Sequence, residues 1–151
     1  MPSLHDLCLL GASLGAGLIA GLCFAFASFI LPAFDRLGAA GAIRAMQSVN
    51  AKILRSSAMA VWFGTMLLGV LGSVLGDGRP LDLAATALYG LGAFLITGRG
   101  NVPLNEELDR VDPDGPNSVE AWQHYRLWWG RWNYLRTVAC ASASACFAWA
   151  L

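Results

Sequence analysis

Four stretches of the chain, Leu7–Leu31, Ser57–Gly76, Leu81–Gly98 and Thr137–Leu151, contain between them a single charged residue, Asp82 at the start of the third. An apolar run of roughly 18 or more residues can carry a helix across the hydrocarbon core of a bilayer. The first three runs reach that length, and the fourth reaches it by borrowing from Asn133–Arg136. A soluble bundle of greasy helices is the competing reading, but it needs a charged surface. Charged residues make up only 13% of this chain, about half the usual share for a soluble domain. The expectation is one all-α domain over residues 1–151, an integral membrane four-helix bundle with spans near 7–31, 57–76, 81–98 and 133–151.

The first run does not read as a signal peptide. It lacks a basic leading region, is too long, and offers no clear cleavage site before the next polar stretch. Basic residues orient the spans. Arg36, Arg44, Lys52 and Arg55 lie between the first two runs, and Arg99, Arg110, Arg126, Arg131 and Arg136 between the last two. Only Arg79, of the ten Lys and Arg, falls on the other side. Both long connections are therefore expected in the cytoplasm and both termini outside. The formal net charge is zero, so nothing points to nucleic acid.

Cys8, Cys23, Cys140 and Cys146 all fall in the first and fourth runs, with no CxxC pair, which argues against a zinc or iron–sulfur centre. They read as small apolar packers. A disulfide between Cys8 and Cys146 near the outer face is left open. Gly11, Gly15, Gly17 and Gly21, with Gly64, Gly69, Gly72 and Gly76, provide the small surfaces that let helices approach closely in lipid. Pro32 is expected to stop the first helix.

The first connection, Ala39–Leu54, is amphipathic. Ala42, Ala45, Met46, Val49 and Ile53 share one face, so the segment extends the second span inward or lies on the membrane surface. Asn50 falls near that apolar stripe, as a surface residue or part of a site. In the second connection, "TGRGNVPLNEEL" sets Asn101 and Asn105 around Pro103, which suggests a fixed turn. "VDPDGPNS" is the clearest loop. Asn117 with Glu120 reads as a capping box, starting a helix near Ser118.

That last helix is long and rich in aromatic residues. Trp122, Tyr125, Trp129, Trp132 and Arg136 are spaced 3, 4, 3 and 4 apart, which places them on one face. An interfacial aromatic belt accounts for Trp128, which lies off the stripe. It accounts less well for a stripe that Asn133 and Arg136 carry towards the membrane. From position alone, Arg136 either snorkels to the headgroups or turns inward to a partner within the bundle.

The pattern W-x2-Y-x3-W-x2-WN-x2-RT over Trp122–Thr137, the upstream "NVPLN", the "AMQSVN" of Ala45–Asn50 and the "GLCFAFASFILPAF" of Gly21–Phe34 together resemble the anthrone oxygenase-like family of small four-span membrane proteins. The likeness runs over nearly the whole chain. It implies a bacterial inner-membrane protein whose characterised fungal relatives oxidise an anthrone to an anthraquinone, with O2 as co-substrate and no metal, flavin or haem. Relatives often carry His directly after the WN pair. This chain has Tyr134 there, so a histidine base at that position does not carry over.

Such chemistry needs a dry aromatic slot, a base, and donors for an enolate oxygen. The resemblance makes Trp122, Trp129, Trp132 and Tyr134 candidates for the slot, and Asn50, Asn101 and Asn105 candidates for substrate contacts. Asn133 and Arg136 are candidates to stabilise the enolate, and the motif match favours the inward Arg136. His124, the only histidine near the motif, is the first choice of base, with Tyr125 or Tyr134 behind it. His124 lies beside the stripe, where a solvated surface role competes. Asn101–Asn105 is expected to pack against the Trp122–Arg136 face and close a pocket at the inner end of the bundle.

Two functions stay open: a cofactor-free oxygenase acting on a hydrophobic phenolic or polyketide-like molecule, and a non-catalytic membrane protein binding a small aromatic molecule, a lipid or a partner subunit, including a second copy of itself. A transporter is disfavoured, because four spans leave little room for alternating access and no span carries a central acidic residue.

Overall fold

The computed structural model describes all 151 residues. They form five helices and no strand: α1 Leu4–Asp35, α2 Gly38–Ile53, α3 Ser57–Leu75, α4 Pro80–Asp109 and α5 Ser118–Trp149. Three of them, α1, α3 and α4, are long and apolar enough to cross a membrane. This differs from the four spans expected. The α5 helix runs 32 residues, about 48 Å at ~1.5 Å per residue, but its first half is polar. Its apolar remainder, Thr137–Leu151, is short and built largely of alanine and serine.

Packing follows the small residues. The α1 helix lies between α3 and α5, and α4 packs on both of those. A Cβ at Gly15 of α1 would collide with Thr65 of α3, one at Gly92 of α4 with Ala139 of α5, and one at Gly69 of α3 with Phe147 of α5. These glycines therefore let backbones meet where the hydrophobic effect cannot drive association. Reciprocal hydrogen bonds, Ser13 Oγ to the Ser144 carbonyl at 3.0 Å and Ser144 Oγ to the Ser13 carbonyl at 2.9 Å, join α1 to α5. At the far end His5 Nε2 meets the fully buried Asp82 Oδ2 at 2.9 Å. All four cysteines are free, Cys8 and Cys146 included.

Neither Pro32, expected to stop the first helix, nor Pro103, expected in a fixed turn, interrupts its helix. Pro32 lies inside α1, just after a π-helical turn over Phe26–Ile30, and Pro103 lies inside α4, just after a π segment over Gly90–Asn101. A proline has no N–H to give the carbonyl one turn back. The wider register ahead of each proline, with Leu31 N–H bonded to Phe26 O and Val102 N–H to Thr97 O, lets the helix run on. The asparagines of NVPLN are thus on a helix, not in a turn. Asn117 does precede α5 as its N-cap, but its side chain makes no capping bond, so the capping box is not formed.

The α2 helix is the amphipathic element expected, and it is separate from α3. Gly38, at φ 71°, reverses the chain behind α1, a left-handed conformation glycine adopts without strain. Ala42, Ile43 and Met46 of α2 then pack with Leu31, Leu108, Trp122, Tyr125 and Trp129 into a second core. It is distinct from the alanine-rich core around Leu9, Ile19, Tyr89 and Phe147. The candidate site lies where the two cores meet.

Candidate functional site

The stripe on α5 is buried except at Trp132, which is half-buried. Trp122, Tyr125, Trp129, Asn133 and Arg136 all face inward, and Cys140, Ala143 and Phe147 continue the same face. Trp122 stacks on Tyr125 at 5.7 Å and Tyr125 on Trp129 at 5.9 Å. Trp122 Nε1 donates to Asp35 Oδ1 at 2.9 Å, which ties the start of α5 to the end of α1. Tyr125 donates its hydroxyl to Asn105 Oδ1 at 2.9 Å, and Asn101 Nδ2 donates to the Trp129 carbonyl at 3.2 Å. Trp132 is half-buried against Gly100, where an added Cβ would strike the indole. The NVPLN segment thus packs on the aromatic face, as expected.

Arg136 turns inward. It is only 9% exposed, and its guanidinium lies between two indoles, 5.6 Å from the Trp62 ring and 5.7 Å from that of Trp129. Nη2 donates to Asn133 Oδ1 at 2.8 Å and Nη1 to Thr97 Oγ1 at 3.2 Å. Asn133 in turn donates Nδ2 to the Cys23 carbonyl at 2.7 Å, three residues before the π turn of α1 begins. Every partner of Arg136 is neutral, and none of the ion pairs in the structure includes it. Its Nε–H has no acceptor, and the buried Nε1–H of Trp129 has none either. A buried cation with spare donors and no counter-ion is costly, and an anionic ligand would repay that cost.

Room for one exists. A cavity of about 300 Å³ lies against the guanidinium, walled by Cys23, Phe26, Trp62, Phe94 and Trp129 and edged by Asn50 and Asn105. That volume is at the small end of ligand pockets, roughly 300–1,000 Å³, and suits one flat aromatic molecule. A larger, shallow groove of about 550 Å³ on the outer side of α1 and α5 contains Tyr134 with Arg126 and Arg131. It holds none of the unpartnered buried atoms.

The structure does not gather every residue the sequence suggested. His124 is exposed and opens onto a different small cleft beside Glu107 and Leu108. One residue off a 3–4 stripe is enough to turn a side chain outward, so His124 is not placed to serve the cavity as a base. Tyr134 is exposed for the same reason. Tyr125 is buried, and that burial, outweighing the pull of Arg136 and reinforced by Asp109, pushes its phenol above the usual range. It remains a hydrogen-bond donor. Asn50 sits at the rim with Nδ2 on Asp109 Oδ1 at 3.1 Å. Asn101 is fully buried beneath Trp129 and supports the wall without lining the cavity. Trp122 anchors the stack at a distance. No Asp, Glu or His lines the cavity. The sequence reading missed Trp62, Thr97 and Phe94. A lone tryptophan in the middle of the second run was the one available signal.

The family model described as anthrone oxygenase matches this chain over residues 11–146. No curated protein and no solved structure matches it.

Proposed function

The chain belongs to the anthrone oxygenase family, and we propose that it oxidises an anthrone-like phenolic substrate with O2 to a quinone without a cofactor. The observation that carries this reading is Arg136: buried, unpaired with any acid, and facing an apolar aromatic cavity. An anthrone carries a methylene acidified by two aryl rings and a conjugated carbonyl. Loss of one proton gives a delocalised enolate. That anion reduces O2 by one electron, the radical pair joins as a peroxide at the former methylene carbon, and loss of water leaves the second carbonyl. One oxygen atom enters the quinone and the other leaves as water.

The protein's part is electrostatic. A guanidinium ~4 Å from the enolate oxygen, at an effective dielectric of about 20, contributes about 4 kcal/mol, equivalent to about three pKa units. Arg136 would thereby draw the substrate into its reactive anion. The Arg136 and Trp129 N–H groups would hold the oxygen, and the indoles would hold the flat rings. With no acidic or imidazole side chain at hand, the proton leaves by way of water or the substrate's own hydroxyls.

In this reading the second half of α5 is a fourth span beside α1, α3 and α4. The basic connections support a topology with the Arg136 end at the cytoplasmic face of a bacterial inner membrane and both termini outside. The absence of a base from the cavity wall favours one alternative, a protein that binds an aromatic anion without turning it over. Purified protein incubated with anthrone under ¹⁸O2 separates the two. Quinone carrying one labelled oxygen, formed faster than with heat-killed protein or Arg136→Gln, supports the oxygenase. Saturable binding without turnover supports the binder.

A further inference from the structure

The cavity has a mouth, and its composition says what it faces. Of the residues that line the cavity, those exposed at the surface are Leu54, Phe63, Gly98 and Val102. All four are apolar. Leu54 and Phe63 stand on one side, at the α2–α3 junction and in the second turn of α3. Gly98 and Val102 stand on the other, in α4. The α3 helix packs along the first stretch of α4, Pro80–Tyr89, and parts from it beyond that point. The Phe94 ring reaches across the gap, 5.6 Å from the Phe63 ring and 6.1 Å from that of Trp62. Arg55 and Arg99, the neighbours of Leu54 and Gly98, are exposed and mark the level where cations meet lipid headgroups. Towards α2 the cavity is sealed by the second core, from Met46 through Trp129.

The geometry points to a lateral portal between α3 and α4, through which an uncharged, membrane-dissolved aromatic phenol reaches Arg136 from the lipid leaflet on the α2 side. This rests on the binding site proposed above and adds its route and the state of its substrate. An apolar opening just below the headgroups admits a flat amphipathic ring system that concentrates at that depth. It rejects a hydrated anion, which would have to shed its water among hydrocarbon. The substrate therefore arrives neutral, and its charge forms only beside the guanidinium.

Gly98 gives the test. It lines the mouth, and an added Cβ there meets no atom within 4 Å, so Gly98→Phe narrows the opening without a clash at its base. Gly64, also with open space around its Cβ and next to Phe63 but not lining the cavity, is the matched control as Gly64→Phe. Protein in phosphatidylcholine vesicles is mixed with 2-hydroxyanthraquinone, an inert phenol, at mildly acid pH where it enters the membrane uncharged. The onset of saturable tryptophan quenching is followed by stopped flow, alongside anthrone turnover. Gly98→Phe should slow onset about tenfold, Gly64→Phe should leave it within about twofold, and Phe63→Ala, which widens the mouth, should speed it. Slowed onset with no turnover in the parent keeps the portal and removes the oxygenase. Turnover in the parent with onset unchanged in both Gly98→Phe and Phe63→Ala overturns the portal and keeps the oxygenase. No saturable quenching in the parent overturns the portal together with the site it serves.

Discussion

Asn133 Oδ1 accepts from Arg136 Nη2 at 2.8 Å, one helical turn away on the same face of α5, while Asn133 Nδ2 donates to the Cys23 carbonyl of α1 at 2.7 Å. The amide is a neutral bracket. It holds the guanidinium in place and pins α5 to α1, yet supplies no negative charge. A carboxylate at 133 would satisfy Arg136 permanently, whereas an amide leaves the charge available to a ligand.

Asn133→Asp should therefore weaken binding of an aromatic phenolate by about tenfold or more, since closing Arg136 into an ion pair removes over about 1.4 kcal/mol of attraction. Titration of 2-hydroxyanthraquinone against detergent-purified parent and variant measures it. Equal affinity would mean the guanidinium does not meet the ligand's charge.

Arg136→Lys tests shape rather than charge. An ammonium cannot lie flat between Trp62 and Trp129, and it has no planar fork to hold Asn133, Thr97 and a ligand oxygen together. Turnover of anthrone should fall by about 100-fold, with expression and melting temperature close to the parent's. A lysine variant as active as the parent would reduce Arg136 to a point charge.

His124→Gln should leave turnover within about twofold of the parent, because the imidazole lies outside the cavity and off the buried stripe. A loss of about 100-fold, the scale of general base catalysis, would return His124 to the chemistry.

How far each feature could be read from the sequence depends on how local it is. The Trp122–Arg136 face was legible because 3–4 spacing on a single helix is a local geometric fact, whereas the inward turn of Arg136 was favoured by the motif match and not by position. Trp62 and Thr97 were not legible. They reach Arg136 from α3 and α4, and only the packing of three helices brings them together. The π segments before Pro32 and Pro103 were hidden for a related reason: a proline alone reads as a stop, and the wider register that carries the helix past it is not written in local residue preferences. The last run stands apart from the other three in hydropathy, because alanine and serine in Thr137–Leu151 are small enough to pack but only weakly apolar.

Gly100→Ala should destabilise the fold by about 1–3 kcal/mol, as overpacking does, because its Cβ is driven into the Trp132 indole. Gly21→Ala, with nothing within 4 Å of the new methyl, should be neutral or gain up to about 1 kcal/mol of helix propensity. Thermal unfolding in detergent followed by circular dichroism compares them. Equal midpoints would contradict the close α4–α5 contact that seats the aromatic face.

The central claim is that Arg136 is an uncompensated buried cation that turns an aromatic phenol into its anion. The most direct measurement is the visible absorption spectrum of bound 2-hydroxyanthraquinone at a mildly acid pH where the free molecule is neutral. The parent should show the red-shifted phenolate band on binding, and Arg136→Gln the neutral phenol band alone. A neutral spectrum in the parent, or the same phenolate band in both proteins, would contradict it.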